Sequence, residues 1–195
     1  MLKVAIVGNI ASGKSTVEKI LVDKGYLVFD TDNLSHEILE SKSEIIKEIF
    51  KEFDISDENG SVSRRKLGEI VFCNSAYKTK LENVIYPELK QKISNIFEEY
   101  KESKFIFISV PLLFEVGWEN MFDKILFIQA DDKLRLTRLM KRNKLSKDEA
   151  TCRISSQQAQ NEKAKKSDFI ICNNDDIILL QKQINEFIIL LEDVE

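Results

Sequence analysis

Gly8-Asn9-Ile10-Ala11-Ser12-Gly13-Lys14-Ser15-Thr16 fits the pattern G-x-x-x-x-G-K-[ST], a loop that wraps phosphate groups between a strand and a helix. The flanks agree. Leu2 to Val7 is a short, mostly apolar, β-branched run that reads as a buried strand. Beyond the loop, Val17, Ile20 and Leu21 recur at helical spacing, and Gly25 stands where that helix should stop. Gly8 and Gly13 accept backbone angles that other residues resist, so the main chain can approach a phosphate closely. The loop N–H groups and the positive end of the following helix then face an anion. In this pattern Lys14 reaches the β- and γ-phosphates, and the Ser15 hydroxyl ligates Mg²⁺. Residues 8–16 are therefore expected to bind a nucleoside triphosphate.

Working outward, 195 residues suffice for one α/β domain with an inserted or flanking subdomain. Hydrophobic content of 43% and charged content of 32% fit a soluble globular chain. No apolar run reaches the ~18 residues that span a membrane. The first strand opens at the N-terminus with no charged-then-apolar leader, so a cytoplasmic protein is expected. A net charge of −4 argues against general nucleic-acid binding. No partner surface is legible, and no protein partner is expected. Three cysteines, Cys73, Cys152 and Cys172, lack C-x-x-C spacing and read as buried free thiols rather than a disulfide framework or a zinc site. A single histidine, His36, excludes His-based triads and multi-His metal sites.

Tyr26 to Phe29 reads as a second strand ending at Asp30-Thr31-Asp32. Ligands of open α/β sheets gather at the carboxyl ends of strands, which places these acids where chemistry is expected. Either could cap a helix starting near Asn33, and either could take a proton from a phosphoryl acceptor. Residues 33 to about 101 read as helical, interrupted by a turn at Asp57-Glu58-Asn59-Gly60. Ser63 is a candidate N-cap for a helix opening with Arg64, Arg65 and Lys66. Three cations there oppose the helix dipole, which suits either an anionic ligand or a solvated cluster. Pro87 suits the first turn of another helix, running to about Tyr100.

Lys104 to Val110, Asp123 to Ile128 and Asp168 to Cys172 read as strands three, four and five. A helix from about Lys133 to Arg142 should lead into a mobile basic turn, Lys141 to Lys144. Ser146-Lys147-Asp148-Glu149 has capping-box form, and the helix it starts is expected to carry Arg153, Gln157 and Gln158. Ile177 to Leu191 makes a closing amphipathic helix. Strands alternating with helices predict a five-stranded parallel sheet flanked by helices.

Several of these landmarks together resemble the dephospho-CoA kinase family over nearly the whole chain. They are the phosphate loop, Asp30-x-Asp32, and Arg64-Arg65-Lys66-Leu67-Gly68-Glu69-Ile70-Val71-Phe72. Val110-Pro111-Leu112-Leu113-Phe114-Glu115, the Arg138 and Arg142 pair, and Asp168-x-x-Ile171-x-Asn173-Asn174 complete the set. The resemblance implies transfer of the ATP γ-phosphoryl group to the 3′-hydroxyl of dephospho-CoA, the last step of coenzyme A synthesis. It also implies a P-loop nucleoside-triphosphate hydrolase fold in three parts. These are a nucleotide-binding core (1–32, 102–140 and 161–195), a helical acceptor-binding subdomain (33–101) and a lid (141–160). Asp32 matches the family's catalytic base, Lys14 and Ser15 its phosphate and Mg²⁺ contacts, and Arg142 its lid cation. Asp30, Arg64, Arg65 and Glu115 fall in segments associated with the acceptor. The chain departs from the family at Asn9 and Ala11, where glycines are usual, and at Tyr86, where His usually precedes Pro87.

Three other readings share the loop, and one of them, a binding module without catalysis, would leave Lys14 and Asp32 together unexplained. A different small-molecule or nucleoside monophosphate kinase would differ in acceptor. A P-loop switch or ATPase would use water, and usually carries an Asp at the end of a strand where this chain has Val110-Pro111.

Overall fold

The computed structural model describes residues 1–193, with the side chains of residues 72 and 73 excepted. Contacts divide the chain into two compact units, Met1–Phe29 with Glu102–Glu195, and Asp30–Lys101. The expected lid, 141–160, falls within the first unit.

The first unit is built on β1 (Leu2–Gly8), β2 (Leu27–Asp30, whose last residue is the first of the second unit), β3 (Phe105–Ser109), β4 (Lys124–Gln129) and β5 (Phe169–Cys172). The sheet is parallel, in the order β2-β3-β1-β4-β5. β1 lies at its centre, with Val4 opposite Phe107 on one side and Lys124 on the other. Val4, Ala5, Ile6 and Val7 are wholly buried, as a strand covered on both faces requires. Helices α1 (Lys14–Asp23) and α10 (Ile177–Glu192) supply Val17, Leu21, Ile184, Phe187 and Leu191 to the core formed with Phe107, Leu126, Ile128 and Ile171. Gly25 does stop α1. At φ 88 it donates to Val22 O while Tyr26 donates to Leu21 O, the paired bonds that close a helix C-terminus. That role also keeps Tyr26 out of β2.

The second unit holds α2 (Thr31–Ser41), α3 (Ser43–Ile49), α4 (Arg64–Cys73) and α5 (Ser75–Glu99). α5 packs against the other three through Ile85, Leu89, Ile93 and Phe97, one residue per turn. Residues 50–63 interrupt the helices more widely than the expected turn. Asp57 Oδ1 accepts from the N–H groups of Asn59 and Ser61, and Ser56 bridges to Val62. Pro87 does not open a helix. It sits inside α5, leaving the Asn83 carbonyl without its usual donor, because the buried stripe on either side holds the helix together.

The first unit is completed by α6 (Leu113–Val116), a 3-10 turn at Glu119–Met121, α7 (Asp132–Asn143), α8 (Lys147–Ser155) and α9 (Gln160–Lys165). Lys141 to Asn143 form the last turn of α7 rather than a loose turn, and Lys144 ends it at φ 53. The capping box at Ser146 is complete. α8 stops at Ser155, so Gln157 and Gln158 lie beyond it and not on it. Cys152 and Cys172 are free but exposed, contrary to expectation, because α8 turns Cys152 outward and β5 is an edge strand. Cys73 lies outside the described side chains. Among the described residues no helix is long and apolar enough to cross a membrane.

Candidate active site

The loop between β1 and α1 is held in shape by the chain itself. A Cβ on Gly13, at φ 92, would lie 1.9 Å from Asn173 Nδ2, and one on Gly8 would lie 2.6 Å from Ser12 Oγ. At Gly13 both the backbone angle and the neighbour exclude a side chain; Gly8 does not take the left-handed angle expected of it, and an added Cβ there would displace the Ser12 hydroxyl and crowd Ile128 O at 3.2 Å. Asn173, just past β5, donates from Nδ2 to Ser12 O at 2.8 Å, and Arg138 donates to Asn173 O at 3.0 Å. Gln157 Oε1 accepts from Ile10 N–H at 2.8 Å, Arg135 Nε donates to Ile10 O at 3.0 Å, and Asn9 Nδ2 donates to Gln158 O at 2.8 Å. Arg135 is buried and is itself held by Asp132 at 2.7 Å. Ala11 takes φ 61, in the left-handed region.

This bracing leaves the head of α1 open. The N–H groups of Lys14 and Ser15 have no acceptor inside the helix, as its first turn requires, and the Ser15 side chain is exposed. Lys14 Nζ forms an ion pair with Glu18 Oε1 at 2.6 Å, one turn along α1, and donates to Ser109 Oγ at the end of β3. Ser12 Oγ and Asn9 Oδ1 are buried and have no hydrogen-bond partner among the described residues. A hard cation needs oxygen ligands, and a kinase site supplies most of them from phosphate and water. One exposed serine hydroxyl at a phosphate-binding helix terminus fits that requirement. Among the described residues no cluster of three or more His, Cys, Asp or Glu offers an all-protein metal site.

A cavity of about 480 Å³ opens beside the loop, walled in part by Asn9, Gln129, Arg135, Gln157 and Gln160. Much of its polar wall is already spoken for. Gln160 spans the N–H and C=O of Ala130, and Gln157 serves Ile10 and Arg135.

The other expected residues fall as follows. In the second unit, Asp30 Oδ1 accepts Asp32 N–H at 2.9 Å and caps α2. α2 therefore starts at Thr31, two residues before the expected Asn33, and Asp32 stands in its first turn. Ser63 caps α4, and the three cations behind it separate by partner. Arg65 pairs with Glu69 at 2.8 Å, and Lys66 with Asp54 at 2.7 Å. The Lys66 hydrogen bond, then the Ser56 N–H, hold the Asp54 carboxyl below the usual range. Arg64 is exposed and forms no ion pair among the described residues. In the first unit, Glu115 on α6 pairs with Lys163 of α9 at 2.6 Å, and that lysine side chain is only 1% exposed. Arg142 is exposed at the end of α7, bonded to Asn143 Oδ1.

The dephospho-CoA kinase family model matches residues 2–178. The chain belongs to the dephospho-CoA kinase family. Curated dephospho-CoA kinases from Fusobacterium nucleatum and Listeria innocua are 40% and 38% identical to it over 189 residues, about 95% of both chains in each case. The solved dephospho-CoA kinase from Campylobacter jejuni superposes with a TM-score of 0.75 at 32% identity, covering 95% of this chain and 94% of that one. As a dephospho-CoA kinase the chain is an ATP-dependent phosphotransferase of coenzyme A biosynthesis.

Sequence reasoning passed over Glu18, Ser109, Arg135 and Lys163, and gave Gln157 and Gln158 no link to the loop. Glu18 was within reach, since its i,i+4 spacing from Lys14 puts both on one helix face. The others meet their partners only through the tertiary fold.

Proposed function

We propose that this chain transfers the γ-phosphoryl group of ATP to the 3′-hydroxyl of dephospho-CoA, giving coenzyme A and ADP. The observation that carries the reading is a phosphate loop braced from three sides, with Lys14 at the head of α1, in a chain that matches this family over residues 2–178.

In this reading the first N–H groups of α1 and the Lys14 ammonium bind the β- and γ-phosphates. Ser15 Oγ is the protein oxygen that holds Mg²⁺, which supplies charge neutralisation on the phosphates when bound. The acceptor hydroxyl oxygen forms the new bond to the γ-phosphorus as the bond to the β–γ bridging oxygen breaks, and ADP leaves. Asp32 accepts the hydroxyl proton. Asp30 orders the turn that carries Asp32. Arg142 neutralises charge on the transferring group, and Arg64, the member of its cluster with no ion pair among the described residues, contacts the anionic part of the acceptor. Glu115 supports the acceptor segment through Lys163. The reading includes a cytoplasmic location and no partner beyond the two substrates.

The test is ADP release from ATP and Mg²⁺ with dephospho-CoA, with a panel of nucleoside monophosphates, and with no acceptor. Release that needs dephospho-CoA and yields coenzyme A is expected. Release with monophosphates alone, or with no acceptor, overturns the substrate assignment.

A further inference from the structure

We propose that Glu18 is a positioning residue that holds the Lys14 ammonium between turnovers and thereby sets how tightly the site retains ATP and ADP. The proposal rests on the reading above, in which Lys14 contacts the nucleotide phosphates.

The Lys14–Glu18 pair differs from the other i,i+4 ion pairs among the described residues. Its side chains are 15% and 14% exposed, against 75% and 65% for Arg65–Glu69, 72% and 60% for Lys182–Glu186 and 60% and 28% for Lys78–Glu82. Its N–O distance of 2.6 Å is also shorter than the 2.8 Å, 3.9 Å and 3.7 Å of those pairs. Screening by water and salt is therefore weaker at this pair. Helix stability does not account for it. An acid C-terminal to its lysine is the weaker order for an i,i+4 pair, and a lysine in the first turn opposes the helix dipole. What the pair does is neutralise an ammonium that would otherwise stand uncompensated at the positive end of α1.

An ammonium has three N–H bonds. Glu18 and Ser109 engage two of them. Ser109 is wholly buried at the end of β3, so its hydroxyl fixes the other side of the Lys14 head group. A phosphate entering the loop must take Lys14 from Glu18, or share it with a carboxylate whose negative charge opposes its own. Both effects weaken nucleotide binding. When the phosphate leaves, Glu18 is in place to recapture the lysine, which favours ADP release.

Glu18→Gln keeps a hydrogen-bonding side chain and removes the charge. The expected result is a fall of about fivefold in both the KM for ATP and the calorimetric Kd for ADP, the size of one partly screened ion pair, with no rise in kcat. Glu18→Ala should move both constants in the same direction. Glu18→Asp, which keeps the charge, should return them to within about twofold of the native values. Glu186→Gln, which removes the exposed pair on α10, is the control and should change neither. ATP and ADP constants within about twofold of native in both Glu18→Gln and Glu18→Ala overturn the proposal, and so does weaker binding in either. Lys14→Ala separates this from the underlying reading. If it keeps native nucleotide affinity and turnover, the assignment of Lys14 to the phosphates fails, whatever Glu18 does.

Discussion

Asp32 and Asp30 are two residues apart, and the role proposed for the Asp32 carboxylate differs from the one seen for Asp30. Asp30 is spent on the backbone, capping α2 through the Asp32 N–H, and this frames Asp32 in the first helical turn. Asp32→Asn should lower kcat by at least ~10²-fold while the Kd for ATP stays near native. A loss of only a few-fold would reduce Asp32 to a structural residue. Ala11 carries a different kind of cost, because φ 61 lies in the left-handed region where a Cβ is strained by roughly 1 kcal/mol. Ala11→Gly should raise the unfolding free energy by about 0.5 kcal/mol, the larger freedom of unfolded glycine offsetting part of the gain. Urea denaturation measures it. Glu115 and Lys163 are asymmetric, with side chains 31% and 1% exposed. Glu115→Ala strands a buried ammonium and should cost about 3 kcal/mol, whereas Lys163→Ala leaves a carboxylate that water can reach and should cost less. The reverse order in urea midpoints would contradict this account. The sequence named Glu115 and Asp32, but the partner that explains Glu115 lies 48 residues away on α9, and no local pattern announces a buried lysine.

Elements whose ends are set by local chemistry were legible. The stop of α1 at Gly25, the cap of α4 at Ser63 and the box opening α8 at Ser146 all follow from side chain–backbone bonds within a few residues. Elements set by packing were not. Pro87 has the local character of a helix start, and only the buried stripe from Ile85 to Phe97 explains why α5 runs through it. Gln157 and Gln158 continue a helical pattern on paper, but their bonds to Ile10 and Asn9 pull them out of α8 and onto the phosphate loop. α8 also carries a pH-dependent cap. The Ser146 hydroxyl, then the Ser146 N–H, hold the Glu149 carboxyl below its ordinary 4.5. A carboxyl lowered on folding adds stability that is complete above the unfolded value and is lost as pH falls through the folded one. Glu149→Ala should therefore be less stable than native at neutral pH, with the difference in thermal midpoint narrowing as the pH falls below 4.5. A difference that persists in acid would assign it to something other than the charge.

For the whole molecule, alternating strands and helices gave the sheet its class and its five members. The strand order came only from the structure, because register between strands far apart in sequence leaves no local trace. Nucleotide binding should be visible as global stability. ATP at roughly 100 times its Kd should raise the unfolding free energy by about 2.7 kcal/mol, and Lys14→Ala should abolish most of that gain. An unchanged thermal midpoint in the native protein at that concentration would argue against a preformed site. The route of the chain has a consequence for its birth on the ribosome. β1 is translated first, but its neighbours β3 and β4 are made about 100 residues later. At ~5–20 residues per second this leaves the apolar run Val4 to Val7 without strand partners for on the order of 5–20 s. The helical unit, whose contacts lie within residues 30–101, can close during that interval. The groups that brace the phosphate loop, Arg135, Gln157 and Asn173, are translated later still. A nascent chain thus displays the full nucleotide-binding motif long before the groups that brace it exist, and a ribosome stalled before Asn173 holds a sequence that reads as a kinase around a loop still missing the bond to Ser12 O.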